Sequence, residues 1–300
     1  MQVIPYQSDR FQGCEEIYQF LVSCQQKSIR DGKPKIASIS LAIESVDPLV
    51  VLHEIAQPDQ LHFYFENRHK AEAVLAIGTT VCHTSEGPKR FRQAQTFINS
   101  HLRHVLPVGS RDLPFFGPHF FCSFTFFDQN RQRDFFFPPC TLFLPQWQIS
   151  RSKNRYSLVA NLSINDYTDV RYLSKVTWHQ WQKINSLHHV TLEPPLQSRS
   201  RYNQKNVIST SDFRTAVTST LKAIQAHQLH KVVLAHAIDV SAEQPLLLAH
   251  SLQNLRRLHP DCYTFSTSNG RGKSFIGASP ERLISIDDGK LITDALAGSA

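Results

Sequence analysis

Few of the chemically capable residues in this 300-residue chain assemble a site by spacing alone. His53-Glu54 lacks the second histidine of an HExxH zinc site. His227 and His230 stand three apart near the end of an expected helix, and His188 and His189 are adjacent. Neither pair has an acidic or cysteine neighbour, so both read as ordinary histidines rather than ligands. Neither a GxSxG elbow nor a phosphate-cradling glycine loop occurs. Three positions remain: Lys231 at the head of an apolar run, Glu281 after Ser279-Pro280, and Gly298-Ser299 near the end. Taken singly, they read as a solvated lysine, a turn glutamate and a strand-ending turn. Gly298 has no side chain, so backbone amides there could approach a carboxylate closely.

These positions need elements to hold them. Phe213, Val217, Leu221 and Ile224 recur at helical spacing, with Ser211 or Asp212 as expected cap. The run 231–240 alternates and is β-branched, which predicts a strand; a second helix is expected over 245–258, with proline near its start. Short strands are expected at 262–267, 274–277, 282–286 and 290–297, with Asp288-Gly289 as a hairpin turn. Upstream, a helix is expected over 9–26 and helical character over 88–105. Strands are expected at 36–43, 61–66, 120–127, 140–144 and 155–162. The proline-flanked, polar stretch 193–209 reads as a connection. Many short consecutive strands favour antiparallel pairing, and the expected class is α+β.

Composition narrows the function. Hydrophobic residues make up 41% and charged residues 19%, enough apolar content for a sizeable core. The formal charge is +7 and the pI about 9.1, but the basic residues are spread thinly. The densest runs, 89–92 and 199–205, read as loops or solvated faces, and no zinc-finger or RNP pattern accompanies them. Nucleic acid is therefore not the expected partner. Six cysteines form no CxxC pair, and the sequence has neither a signal-peptide pattern nor a membrane-length apolar run. A reduced, cytoplasmic setting is expected.

Three segments in one order carry a resemblance: Lys231-Val-Val-Leu-Ala235, Phe275-Ile-Gly-Ala-Ser-Pro-Glu-Arg-Leu283 and Thr293-Asp-Ala-Leu-Ala-Gly-Ser299. Together they resemble the chorismate-utilising enzymes, the isochorismate, salicylate, anthranilate and aminodeoxychorismate synthases. The resemblance is sharp over residues 213–300 and looser over 62–66 and 76–78. It implies an α+β fold of two packed, mainly antiparallel sheets with outer helices. It divides the chain into an N-terminal sheet-and-helix portion (1–193), a connecting loop (194–209) and the start of the chorismate-binding core (210–300).

The resemblance also implies roles. Isochorismate synthases add water at C2 of chorismate and expel the C4 hydroxyl, with a lysine matching Lys231 as general base and a glutamate matching Glu281 as general acid. Aminodeoxychorismate synthases carry a nucleophilic lysine where this chain has Ala297, and anthranilate synthases usually lack the first lysine. Both differences point to water as nucleophile. Gly298 and Ser299 match the turn that receives a substrate carboxylate. Many relatives have arginine where His236 stands, and we assign His236 no role. A neutral lysine base needs its pKa lowered from ~10.4 towards ~7, about 4 kcal/mol of destabilisation of the ammonium. Glu281 needs the opposite shift.

Mg²⁺ is the implied cofactor, and its ligands in the family lie beyond the position of residue 300, as do further carboxylate-binding residues. The chain is accordingly expected to be a fragment or a truncated form with the C-terminal part of the fold missing, its own activity in doubt. Chorismate is the expected partner, and a monomer the expected state. The expected activity is isochorismate synthesis for menaquinone, phylloquinone or siderophore formation. The alternatives are salicylate synthesis and a catalytically silent fragment.

Overall fold

The computed structural model describes residues 11, 13–129, 136–192, 202–207, 209–287 and 289–294. Two compact units emerge, one of residues 1–193 and 248–300, the other of residues 194–247.

The first unit opens with α1 (Cys14–Asp31), β1 (Lys35–Ala42), α2 (Pro48–Ile55), β2 (His62–Asn67), β3 (Glu72–Ile77) and β4 (Val81–Ser85). Next come α3 (Arg90–Leu102), β5 (Val105–Val108), β6 (Phe121–Phe124), β7 (Cys140–Leu144), β8 (Trp147–Ser152), β9 (Arg155–Ile164) and α4 (Val170–Ser186). The second unit contains β10 (Tyr202–Asn206), α5 (Thr210–Gln225) and β11 (Ile238–Ala242). The chain then returns to the first unit with α6 (Leu248–Leu258), β12 (Tyr263–Ser268), β13 (Ser274–Ser279), β14 (Ser285–Asp287) and β15 (Lys290–Ile292).

An eight-stranded sheet, in the order β13-β12-β2-β3-β8-β9-β1-β5, is antiparallel except for the β1–β5 pair. Strand alternation turns one apolar set of each strand towards the helices. Ile39, Tyr64, Leu75, Ile149 and Leu158 thus share one core with Phe20 of α1, Leu49 of α2, Ile184 of α4 and Leu252 of α6. On the other face, Val74 and Ala76 of β3 pack against Phe121 of β6 and Phe143 of β7, which belong to the three-stranded sheet β4-β7-β6. These are the two packed, mainly antiparallel sheets of the expected α+β fold. Among the described residues, no helix is long and apolar enough to cross a membrane.

Several local expectations need correction. Of the helix expected at 9–26, residues 9, 10 and 12 lie outside the described residues and the helix described runs over 14–31; the one expected at 245–258 starts only at Leu248. Ser209, not Ser211 or Asp212, caps α5 by accepting from the Asp212 N–H at 3.1 Å. Residues 202–206, placed in the connecting loop, form β10 and pair with β11. The strand expected over 231–240 begins only at Ile238, because its partner β10 reaches no further than the Asn206–Ile238 pair. The basic run at 89–92 is not wholly solvated. Arg90 is buried and donates to the carbonyls of Thr125 and Phe126. β14 and β15 do pair as the expected hairpin, with Gly289 between them at φ 73°, where glycine is unstrained; Asp288 lies outside the described residues.

The two units differ in how they are held together. The first has a continuous core, whereas none of the described residues in 194–247 is buried. The apolar stripe of α5 illustrates this: Leu221 is 53% exposed. A two-stranded sheet and one helix with that much uncovered apolar surface are marginal in water by themselves.

Candidate active site

Glu281 lies just past β13, a strand whose position is built from both ends of the first unit. β12 pairs antiparallel with β2 on one side and β13 on the other, so residues 263–279 extend a sheet begun some 200 residues earlier. Close packing sets the local sequence: Gly277 faces Phe265 across the ladder, and a Cβ at Gly277 would lie 2.6 Å from the ring. Only glycine lets that ring lie flat against the strand.

α6 anchors these strands through a buried ionic group. Arg256 donates to Asp47 through Nη1 at 3.0 Å and Nη2 at 2.5 Å, and its Nη1 reaches Glu66 at 3.3 Å. Glu66, on β2, also accepts from Arg151 of β8 at 2.8 Å and from the Tyr64 hydroxyl at 2.5 Å. Two guanidinium groups thus balance two carboxylates, which is what makes their burial tolerable. Burial alone would lower the Arg256 pKa, but the Asp47 hydrogen bond and charge outweigh it and hold the guanidinium charged. Burial, followed by the adjacent Glu66 charge, pushes the Tyr64 phenol well above its ordinary value. Sequence reading missed this group. Its signal was a basic residue, Arg256, on the stripe shared by Ala249 and Leu252 of α6.

At the end of β13 the Ser279 hydroxyl receives the Glu281 N–H at 3.3 Å and donates to the Glu281 carbonyl at 3.0 Å. This fixes the backbone while the Glu281 side chain stays exposed. The next residue ties down the third motif segment. Arg282 donates to Asp294 at 2.8 Å, and the Thr293 hydroxyl donates to the Leu283 carbonyl at 2.7 Å. The Arg282 hydrogen bond, ahead of the ion-pair attraction, holds the Asp294 carboxyl below its usual range. The segments starting at Phe275 and Thr293 are therefore brought together. Gly298 and Ser299 lie outside the described residues.

Lys231 belongs to the second unit, on an exposed, non-strand segment between α5 and β11. No described residue of its own unit encloses it, so the burial expected of a lysine base is not supplied there. Its neighbourhood is nonetheless organised. The His236 ring meets the Asn206 side chain at 3.2 Å and packs 5.1 Å from the Phe213 ring, joining the segment to β10 and α5. His236 thus has a structural part that the sequence did not disclose.

Among the described residues no three His, Cys, Asp or Glu side chains form a group able to hold a metal ion. On the segments carrying Glu281, Asp294 is engaged by Arg282, which leaves one carboxylate where Mg²⁺ takes six oxygen ligands. The described residues do not make a Mg²⁺ site.

Residues 19–300 match the family described as "Chorismate binding enzyme". The vibriobactin-specific isochorismate synthase of Vibrio cholerae is 35% identical over 91 residues, 30% of this chain and 23% of that protein. Isochorismate synthase MenF of Escherichia coli is 41% identical over 78 residues, 26% of this chain and 18% of that protein. The solved structure of E. coli MenF, a menaquinone-specific isochorismate synthase, superposes with a TM-score of 0.59 at 22% identity, covering 89% of this chain and 56% of that one. The chain therefore spans little more than half of the solved neighbour, and its alignments cover about a fifth of the two curated relatives.

Proposed function

Because the chain belongs to the chorismate-binding enzyme family, we propose that it carries the acid–base pair of an isochorismate synthase. In this reading neutral Lys231 takes a proton from a water molecule as its oxygen bonds to C2 of chorismate. The ring double bond shifts, and protonated Glu281 gives its proton to the C4 hydroxyl, which leaves as water. One water enters and one departs, so chorismate and isochorismate are isomers. The observation that carries the reading is the order of the segments: Lys231 and Glu281 fifty residues apart, then Ala297 where an amine-transferring relative would carry lysine. The hydrogen-bonded junction of Arg282 with Asp294 supports it by tying Glu281's segment to the one that starts at Thr293. Mg²⁺ is part of the proposal through the family resemblance only, with ligands supplied from outside the described residues. The product would enter quinone or siderophore synthesis; the relatives include a menaquinone-specific and a vibriobactin-specific enzyme.

The test is a chimera that joins the chain to the part of E. coli MenF lacking a counterpart here. Supplied with chorismate and Mg²⁺, it is expected to yield isochorismate by chromatography, and residues 1–300 alone are expected to yield none. Salicylate as the product, or equal turnover by a Lys231→Ala chimera, would overturn the assignment.

A further inference from the structure

The edge of the large sheet opposite Glu281 carries a concavity. A cleft of about 620 Å³ lies beside β5, between the C-terminal ends of α1 and α3. Its charged lining is Lys27, Arg30, Lys35 and Arg103 against Asp31 alone, four positive groups and one negative, a balance of +3. Leu102 and Leu106 give it an apolar side.

Two observations separate this from a scattering of surface lysines. Lys35 is buried with its ammonium 2.6 Å from Asp31, and Arg30 Nε lies 3.4 Å from the same carboxylate, so the single acid of the lining is shared by two cations and the positive groups stay in excess. The α1 end, which a basic side chain commonly caps, is closed by its own backbone instead: Gly32 N–H bonds to Ile29 O and Lys33 N–H to Ser28 O. Arg30 and Lys27 are therefore not required as caps. The ladder adds a donor, since Ile36 N–H bonds to His104 O, and the alternation of a parallel pair then turns the Val105 N–H outwards, away from β1. Nearby, burial lowers the His104 pKa, and Lys35 and Lys33 lower it further, as expected at a positive corner.

We propose that this cleft binds an organic anion, a carboxylate or phosphate group on an apolar body, with Arg30, Arg103 and Lys27 receiving the charge and Leu102 and Leu106 the apolar part. The site is distinct from the one at Glu281. β5 and β13 are opposite edges of an eight-stranded sheet, and seven inter-strand spacings separate them by about 33 Å. The inference does not depend on the chemistry proposed for Lys231 and Glu281.

The test is calorimetric titration of the chain with phenyl phosphate and benzoate, inorganic phosphate as the bare head group and benzyl alcohol as the uncharged body. One-to-one binding of phenyl phosphate or benzoate is expected, tighter than inorganic phosphate, with no binding of benzyl alcohol. Arg30→Gln and Arg103→Gln, both at exposed side chains, are each expected to weaken binding about three- to tenfold. Leu106→Ala should narrow the preference for phenyl phosphate over inorganic phosphate. The proposal fails if the Arg30→Gln/Arg103→Gln double variant, folded by circular dichroism, binds as the parent does, which would place the anion elsewhere. It fails equally if neither organic anion binds at concentrations up to about 10 mM, the limit of meaningful affinity.

Discussion

Arg256 grips Asp47 with both terminal nitrogens, and Asp47 in turn receives the Leu49 N–H at 3.0 Å as the cap of α2. One carboxylate thus fastens two helices that lie 200 residues apart in sequence. Arg256→Met should cost about 3–5 kcal/mol in urea unfolding, because it strands Asp47 and buried Glu66 without their shared cation. Arg256→Lys should recover only part of this, since an ammonium cannot make the two-pronged contact. Equal stability of parent and Met variant would show that the group contributes nothing to folding.

His62 gives the chain a pH dependence of known sign. Burial pushes its imidazole from 6.5 down to about 4, so between those values the unfolded chain binds more protons than the folded one. The contribution to stability is whole above about pH 6.5 and is lost as the pH falls towards 4, up to about 3 kcal/mol. His62→Phe should flatten the difference in urea midpoint across that window. A slope as steep in the variant as in the parent would assign the effect to other groups.

Gly277→Ala should destabilise the chain by about 1–3 kcal/mol, the usual cost of overpacking, because the new methyl meets the Phe265 ring. The cost should shrink in a Phe265→Leu background. A double-mutant cycle with no coupling between the two positions would exclude this contact as the cause.

Within the active chimera, Lys231→Ala should lower turnover by 10²–10⁴-fold, the range for a positioned general base, while chorismate affinity changes little. Initial-rate kinetics separate the two effects. A variant that keeps turnover and loses affinity would make Lys231 a binding group.

Amide hydrogen exchange should divide the chain as its burial does. Protection in residues 202–247, where no described residue is buried, should fall well below that of Ile36 to Ile39 in β1, which is paired on both sides by β9 and β5. Comparable protection would mean that the second unit is covered in solution.

Local pattern disclosed the elements with strong periodicity or turn chemistry: β1, β2, β7, β9 and the β14–β15 hairpin. It passed over α4, although Val170, Leu173, Thr177, Trp178, Trp181 and Ile184 line one side of it and Asp169 caps it, accepting from the Tyr172 N–H. It also missed α2, whose Pro48-Leu-Val-Val-Leu run reads as a strand until Asp47-Pro48 is recognised as a helix start. Sheet order was beyond reach, because the pairing of β12 with β2 joins Tyr263 to Asn67 through no local signal. At the site, the motif order gave Glu281 its place beside Ser279 and Arg282. Nothing in the motifs disclosed the arginine–carboxylate group that holds α6 in place.

The late arrival of β12 has a consequence for biosynthesis. β2 presents an open edge from the moment it leaves the ribosome until residues 263–268 follow. At ordinary elongation speeds of 5–20 residues per second, that interval of nearly 200 residues lasts about 10–40 s. Throughout it the nascent chain carries the aromatic stretch His62-Phe-Tyr-Phe-Glu66 with one flank unpaired, the kind of template on which two chains can pair wrongly. A ribosome stalled between codons 193 and 262 would leave such a chain exposed, and chaperone demand should be greatest for transcripts slowed in that window.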